Sequence, residues 1–269
     1  MRFTIQVIKG LEWTFDTVAG TYEKMRPGYP QELYQRIFDE IAIHPASRVV
    51  EIGIGAGQAT LPILQTGCAL TAVEYGENFS KLCQEKFRDY QNFSVITEKF
   101  ERVSFPDDGY DLVYSASAFH WVPEETGYRK VYEMLKSGGV FARFANHPYR
   151  DKGNPALSEE IDNIYARYYY PYYGKDIKSV KEYSEEQAKE RAQIAEKYRF
   201  VDIKHAMFYR TRTFSASEYI ELLGTYSDHI AIEEGIRTEF FAKIKEAINQ
   251  YGGTFTLYDT IDLQLARKS

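Results

Sequence analysis

The sequence predicts an α/β protein with a doubly wound, mostly parallel, seven-stranded sheet, a Rossmann-like arrangement carrying a helical lid. Three observations predict it. From residue 48 onward, short β-branched runs alternate with helix-length segments. Those runs are apolar almost throughout, as strands covered on both faces must be. The first run also feeds directly into alternating glycines, the turn that open parallel sheets use beneath a ligand. A chain of 269 residues, 44% hydrophobic and 27% charged, has the apolar content to bury the core of one such domain.

The elements follow in order. RVVEIG (48–53) reads as a buried strand and GQATLPILQT as the helix after it. ALTAVE (69–74) is a second strand, with a helix from Asn78 to Tyr90. FSVIT (93–97), YDLVYSA (110–116) and GGVFARFA (138–145) are the next three strands, with PEETGYRKVYEML helical between the last two. Strands spaced by helices imply parallel βαβ units. Asn154 and Pro155 pair an N-cap with a first-turn proline, opening a helix that runs into Tyr168, Tyr169, Tyr170, Tyr172 and Tyr173. A charged, helix-prone stretch follows at 179–198. Residues 201–214 form a strand, Ser215 and Glu218 a capping box, 236–250 a helix, Gly252 and Gly253 a break, and the remainder a last strand. One domain over 1–269 is expected, with 1–34 covering a cofactor and 154–198 lying over the core as a lid.

Composition excludes several classes. Nothing approaches 18 consecutive apolar residues, so no membrane-spanning helix is expected. The opening MRFTIQVIKGLEW lacks the apolar block and small residues of a secretory signal. Two cysteines, Cys68 and Cys83, make neither a disulfide framework nor a zinc cluster, so a reducing cytoplasm is expected and no metal. Thirty-three basic against 39 acidic residues leave a net charge of −6, which repels a polyanion; no nucleic-acid partner is expected. A monomer or homodimer is. The 23 Tyr and 17 Phe suit a half-wet binding cleft as well as a core edge.

The sharpest chemical signal is Val49-Val50-Glu51-Ile52-Gly53-Ile54-Gly55-Ala56-Gly57. A strand entering alternating glycines brings bare backbone, amide hydrogens foremost, against a ligand. The dinucleotide fingerprint G-x-G-x-x-G fails, because its third glycine is Gln58. What remains is an acid followed by three alternating glycines. Glu51 would repel a pyrophosphate but hold an ammonium. Glu74 ends the second strand, where a carboxylate accepts from both hydroxyls of a ribose. A tight turn or a surface acid explains either element alone; the two on consecutive strands call for a nucleoside.

With these residues the chain resembles a class I S-adenosylmethionine-dependent methyltransferase, of the type 11 branch that includes trans-aconitate methyltransferase-like enzymes. The resemblance runs over nearly the whole chain. Phe15-Asp16 to Ala19, Tyr22 and Arg26-Pro27-Gly28-Tyr29-Pro30 are similar to the family's N-terminal cover. Glu51 to Gly57 match the cofactor loop and Glu74 the ribose acid. Tyr110 to Val113, Ala118 to Val122 and Leu135 to Gly139 match later motifs, with Ser137 where proline is usual. The stretch from Leu223 to His229 and Gly252-Gly253 also look familial. One departure stands out: the position that usually holds an Asp for the adenine amino group is Lys99, so Glu98, Glu101 or the Phe100 backbone would have to serve.

The resemblance implies S-adenosyl-L-methionine as cofactor, held by Tyr22, Arg26, Glu51, Gly53, Gly55, Gly57, Glu74, Tyr75, Phe100, Glu101, Ser115 and Ala116. Tyr22 and Arg26 share a helix face near the methionine portion, and Tyr22 is also a catalytic candidate. His120 follows the fourth strand as a base or substrate orienter, or packs against Trp121. Trp121, His147, Tyr173 and Tyr226 are further acceptor-side candidates, and His229 and Arg143 stand beside them. The tyrosine cluster fits an aromatic wall over an apolar acceptor or plain lid packing. The activity implied is in-line methyl transfer to a small molecule, a carboxylate being one class. A catalytically silent binding module and a nicotinamide oxidoreductase are the alternatives.

Overall fold

The computed structural model describes residues 19–177 and 180–269. Phe15 and Asp16 of the cover motif lie outside the described residues. The chain order is α1 (Ala19–Met25), α2 (Gln31–Glu40), β1 (Arg48–Ile52), α3 (Leu61–Leu64), β2 (Ala69–Glu74), α4 (Glu77–Lys86), β3 (Phe93–Thr97), β4 (Tyr110–Ala116), α5 (Glu124–Met134) and β5 (Leu135–Tyr149). Then come α6 (Pro155–Tyr172), α7 (Glu185–Gln193), β6 (Phe200–Ser215), α8 (Ala216–Leu223), α9 (Ser227–Ile230), α10 (Glu234–Gln250) and β7 (Thr254–Lys268).

The strands form one seven-stranded sheet, as the sequence predicts, in the order β3-β2-β1-β4-β5-β7-β6. Pairings β1–β2, β1–β4, β2–β3 and β4–β5 are parallel. After β3 the chain returns to the opposite side of β1, so the β1/β4 boundary is the switch point where such sheets bind ligands. Alternation along β1 serves two cores. Val49 packs with Leu70, Leu112 and Phe144 beneath Leu33 and Ile37 of α2 and Ile63 of α3. Val50 and Ile52 pack on the other face with Val113 and Phe141 beneath Tyr128 and Val131 of α5. The same period of two sends Glu51 to the face of Val49.

Two expected helices are shorter. The segment 57–66 is mostly turn, and α3 keeps four residues with a proline in its first turn. The helix after β2 stops at Lys86, and Phe87 caps it by donating to Cys83 O. Caps read from the sequence are present: Asn154 accepts from Leu157 N, and Ser215 and Glu218 bond reciprocally.

The chain divides into two compact units. Unit 1 holds residues 19–146, 184–208 and 261–269 of the described chain, and unit 2 holds 147–183 and 209–260 without the two undescribed positions. Of the segment expected as a lid, 154–183 belongs to unit 2 and 184–198 to unit 1. Unit 2 has its own core, with Phe240, Ile244, Leu222, Leu157 and Phe255 buried. The buried Asp151 ties it together, accepting from Gly153 N and Asn154 N on one oxygen and from Thr256 N on the other.

Candidate cofactor and acceptor site

The glycine loop follows β1, and each glycine has its own reason. All three have positive φ, a region that costs other L-residues steric strain. A Cβ on Gly53 would lie 2.4 Å from Ala118 Cβ, and one on Gly57 would lie 2.6 Å from the Phe87 ring. Those two glycines serve the close approach of the protein to itself. Gly55 differs: a Cβ there would meet nothing nearer than 3.9 Å, from Tyr22 Cε1 and Gln58 Oε1. Of the three, Gly55 alone leaves room for a Cβ, which would make ordinary van der Waals contact there.

Hydrogen bonds from two neighbouring elements fix the Gly55 turn. Glu74, at the end of β2, accepts from Gly55 N on one carboxylate oxygen and from Gly76 N on the other, both at 2.9 Å. From α4, the Cys83 thiol donates to Gly55 O at 3.1 Å and Lys86 Nζ to Ala56 O at 2.8 Å. Lys86 also pairs with Glu23 of α1 at 2.8 Å. Tyr22 on the same helix packs edge-on against Phe79 of α4, with the Arg26 guanidinium over its ring. Tyr22 and Glu74 are thereby gathered around the Gly55 turn.

Glu51 is only 1% exposed. One of its oxygens accepts from Thr60 and Tyr114 hydroxyls, both at 2.7 Å; the other, Oε1, is buried without a partner. Burial pushes its carboxyl up to about 7, the two hydroxyls pull it down, and the Glu74 charge adds to the rise. An orphaned buried carboxylate oxygen is costly unless a donor arrives. The Gln58 carboxamide also carries a buried, unpartnered Nε2. Sequence reasoning used Gln58 only to reject a dinucleotide fingerprint, and no spacing signal marked it.

The remaining candidates divide. Tyr75 is 47% exposed after β2, with Lys99 Nζ 4.7 Å from its ring centroid. Glu98 N donates to Glu74 O, which sets the turn containing Lys99, Phe100 and Glu101 beside the acid. The Phe100 side chain, however, turns into the second core against Phe105, and its carbonyl takes Lys130 Nζ. The Ser115 hydroxyl is likewise committed, donating to Ile52 O at 2.8 Å. Ala116 ends β4 partly buried, and the next residue, Ser117, has φ 53°. Ser117 bonds Tyr29 OH at 2.8 Å and accepts from Asn146 N, so the cover motif is anchored at the carboxyl edge of β4 and β5. Nothing in the sequence pattern pointed to Ser117.

His120 and Trp121 sit in a short 3₁₀ turn with ring centroids 5.1 Å apart. Phe119 anchors that turn in the core against Tyr128 and Phe141, leaving its two neighbours half-buried. Arg143 lies over the Phe119 ring and donates to Tyr128 OH. Desolvation lowers its pKa, with Arg191 adding to the fall.

His147, Tyr173 and Tyr226 belong to unit 2. His147 stacks on Tyr183 at 3.7 Å, and Tyr173 OH donates to Asp228 O. The Tyr226 ring lies 5.4 Å from that of His229. His229 itself is bracketed by Asp228 Oδ1 on Nδ1 and Tyr165 OH on Nε2, both at 2.8 Å. Burial opposes ionisation of Asp228, but His229 and the Tyr169 hydroxyl outweigh it and hold the carboxyl well below the usual range. Among the described residues no helix is long and apolar enough to cross a membrane, and no cluster of His, Cys, Asp and Glu could hold a metal.

Residues 50–142 match the family model described as a methyltransferase domain. Two uncharacterized proteins of Schizosaccharomyces pombe, a methyltransferase and a methyltransferase-like protein, are similar. The first is 23% identical over 238 residues, 87% of each chain. The second is 25% identical over 234 residues, 87% of this chain and 85% of its own. Among solved structures, the fold is similar to Haemonchus contortus phosphoethanolamine N-methyltransferase 2 in complex with phosphomonomethylethanolamine and S-adenosylhomocysteine. That match has a TM-score of 0.54 at 15% identity, covering 94% of this chain and 57% of that one. The sheet, the glycine loop and the methyltransferase-domain match over residues 50–142 support a class I S-adenosylmethionine-dependent methyltransferase.

Proposed function

We propose that the chain transfers the methyl group in line to a small-molecule acceptor, with carboxylic acids the first class to test. The observation that carries the cofactor side of this reading is the Glu74 carboxylate, drawn to the open Gly55 turn and held there by two backbone amides. The residues present fit S-adenosylmethionine: an acceptor-only group for a ribose diol, a turn that at Gly55 has room for a Cβ, and an orphaned carboxylate oxygen for an ammonium.

When bound, S-adenosylmethionine supplies an electrophilic methyl carbon on a positively charged sulfur. The protein's work is then orientation and exclusion of water rather than covalent chemistry. Glu74 accepts from the ribose hydroxyls, Glu51 balances the ammonium, and Tyr22 covers the Gly55 turn. His120 and Trp121, past the end of β4, orient the acceptor. An ionised carboxylate acceptor already presents its electron pair, so His120 would donate a hydrogen bond to it; a protonated acceptor would need His120 as base. The small phosphorylated amine named with the Haemonchus enzyme is in keeping with a small acceptor.

Calorimetry with S-adenosylhomocysteine tests the cofactor side. Glu74→Ala should weaken binding by one or two charge-assisted hydrogen bonds, about 1.5–3 kcal/mol each; an unchanged affinity refutes the placement of the ribose. Methyl-labelled cofactor with a panel of acceptors tests the rest. Label appearing on macromolecules alone would overturn the small-molecule reading.

A further inference from the structure

We infer that Gln58 is a second anchor for the amino-acid end of the cofactor, its carboxamide donating to the cofactor carboxylate beside the Gly55 turn. The inference rests on the cofactor reading above and adds a residue to it. Two polar groups around this loop are buried and unpartnered, and they are opposite in kind. Glu51 Oε1 is an acceptor; Gln58 Nε2 is a donor. The Gln58 carboxamide stands in front of Gly55, its oxygen 3.9 Å from the position a Cβ would take. Glu51 reaches the same loop from beneath, tied through Thr60, two residues beyond Gln58.

A buried donor in the turn and a buried acceptor on β1 just before it are each destabilising when left open, and native interiors rarely tolerate them without a function. Together they match the two charges of an α-amino acid: an ammonium for Glu51 and a carboxylate for Gln58. A hydrophobic ligand would leave both orphans unsatisfied, and an anion alone would satisfy Gln58 while repelling Glu51. The chemistry therefore selects a zwitterion, which the methionine portion of the cofactor carries and its nucleoside does not.

The test compares two probes with the full-length protein. S-adenosylhomocysteine carries the amino-acid end; 5′-methylthioadenosine lacks it but keeps the adenosine and the sulfur. Gln58→Leu should weaken the first roughly tenfold, the loss of one charge-assisted hydrogen bond, and leave the second unchanged. Gln58→Glu, which keeps the polarity and adds a like charge, should weaken S-adenosylhomocysteine further while also sparing 5′-methylthioadenosine. Equal weakening of both probes would assign Gln58 a structural role and overturn the inference, as would no change in either. Glu74→Ala separates the two levels of the argument, because it should weaken both probes. Indifference of both to that change would overturn the loop as the cofactor site, whatever Gln58 does.

Discussion

Replacing Glu51 by Gln should make the empty protein more stable above neutral pH and a poorer cofactor binder at the same time. Glu51 is sealed in the core of unit 1, and its burial raises the carboxyl from 4.5 to about 7. The folded state therefore holds a proton that the unfolded chain has already lost across that interval. For an acid raised on folding, the stabilisation is complete below the unfolded value and disappears as pH rises through the folded one. The gap between 4.5 and about 7, at roughly 1.4 kcal/mol per unit, amounts to about 3 kcal/mol withdrawn between pH 4.5 and 7 and absent above. Glutamine keeps an oxygen for Thr60 and Tyr114 and does not ionise. Denaturant unfolding should thus give similar stabilities for the two proteins near pH 4.5, and an advantage for Glu51→Gln approaching that figure at pH 8.

Cofactor binding reverses the balance. An ammonium against Glu51 favours the ionised carboxylate, so binding near pH 6 should release a proton, and binding at pH 9 should not. Calorimetry with S-adenosylhomocysteine in two buffers of different ionisation heat reads this directly. The variant should bind more weakly and release no proton near pH 6. Parallel pH–stability curves for the two proteins, or proton release that survives the substitution, would refute the account of Glu51.

Gly53→Ala and Gly55→Ala should separate packing from ligand access. The first places a methyl 2.4 Å from Ala118 Cβ at φ 72°, so roughly 2–4 kcal/mol of stability should be lost. The second has room and meets only left-handed strain, about 1–2 kcal/mol, while S-adenosylhomocysteine affinity falls; equal losses of stability would contradict this division. In unit 2, the depressed Asp228 carboxyl stabilises the fold above its unfolded value of 3.8, and that contribution is lost as pH falls through the lower folded value. Asp228→Asn should therefore cost stability at pH 6, with the deficit closing in strong acid, as followed by the tyrosine band in near-ultraviolet circular dichroism.

The strands were legible because their signal is local. Six of the seven begin or end within a residue or two of the segment that announces them, and the alternation along β1 assigns Val49 and Val50 to opposite cores without further information. The acid-and-glycine pattern was legible for the same reason. What escaped depends on contacts between distant segments. Gly53 and Gly57 read as ligand-facing glycines, yet Ala118 and Phe87 dictate them. The Ser115 hydroxyl is committed to Ile52 O, and the Phe100 ring lies in the core, so only the backbone of Phe100 is placed as the sequence reading invoked it. Arg143 read as a candidate for the acceptor, and its partner Tyr128 lies on a helix whose packing no linear pattern reveals. The left-handed Ser117 is set by tertiary bonds to Tyr29 and Asn146, where propensity alone would place a glycine or asparagine.

The bonds around Gly55 bear on affinity as well as on shape. A flexible glycine loop would have to be ordered when the cofactor arrives, and that entropy would be subtracted from binding. Here the ordering is already present: Glu74 holds the Gly55 amide, Cys83 holds its carbonyl, and Lys86 holds the next carbonyl while reaching Glu23 of α1. The three glycines supply the unusual φ values, and β2 and α4 remove the freedom that those glycines would otherwise bring. Because Lys86 serves the loop and α1 together, its ammonium ties the helix bearing Tyr22, and Arg26 just past its end, to the turn.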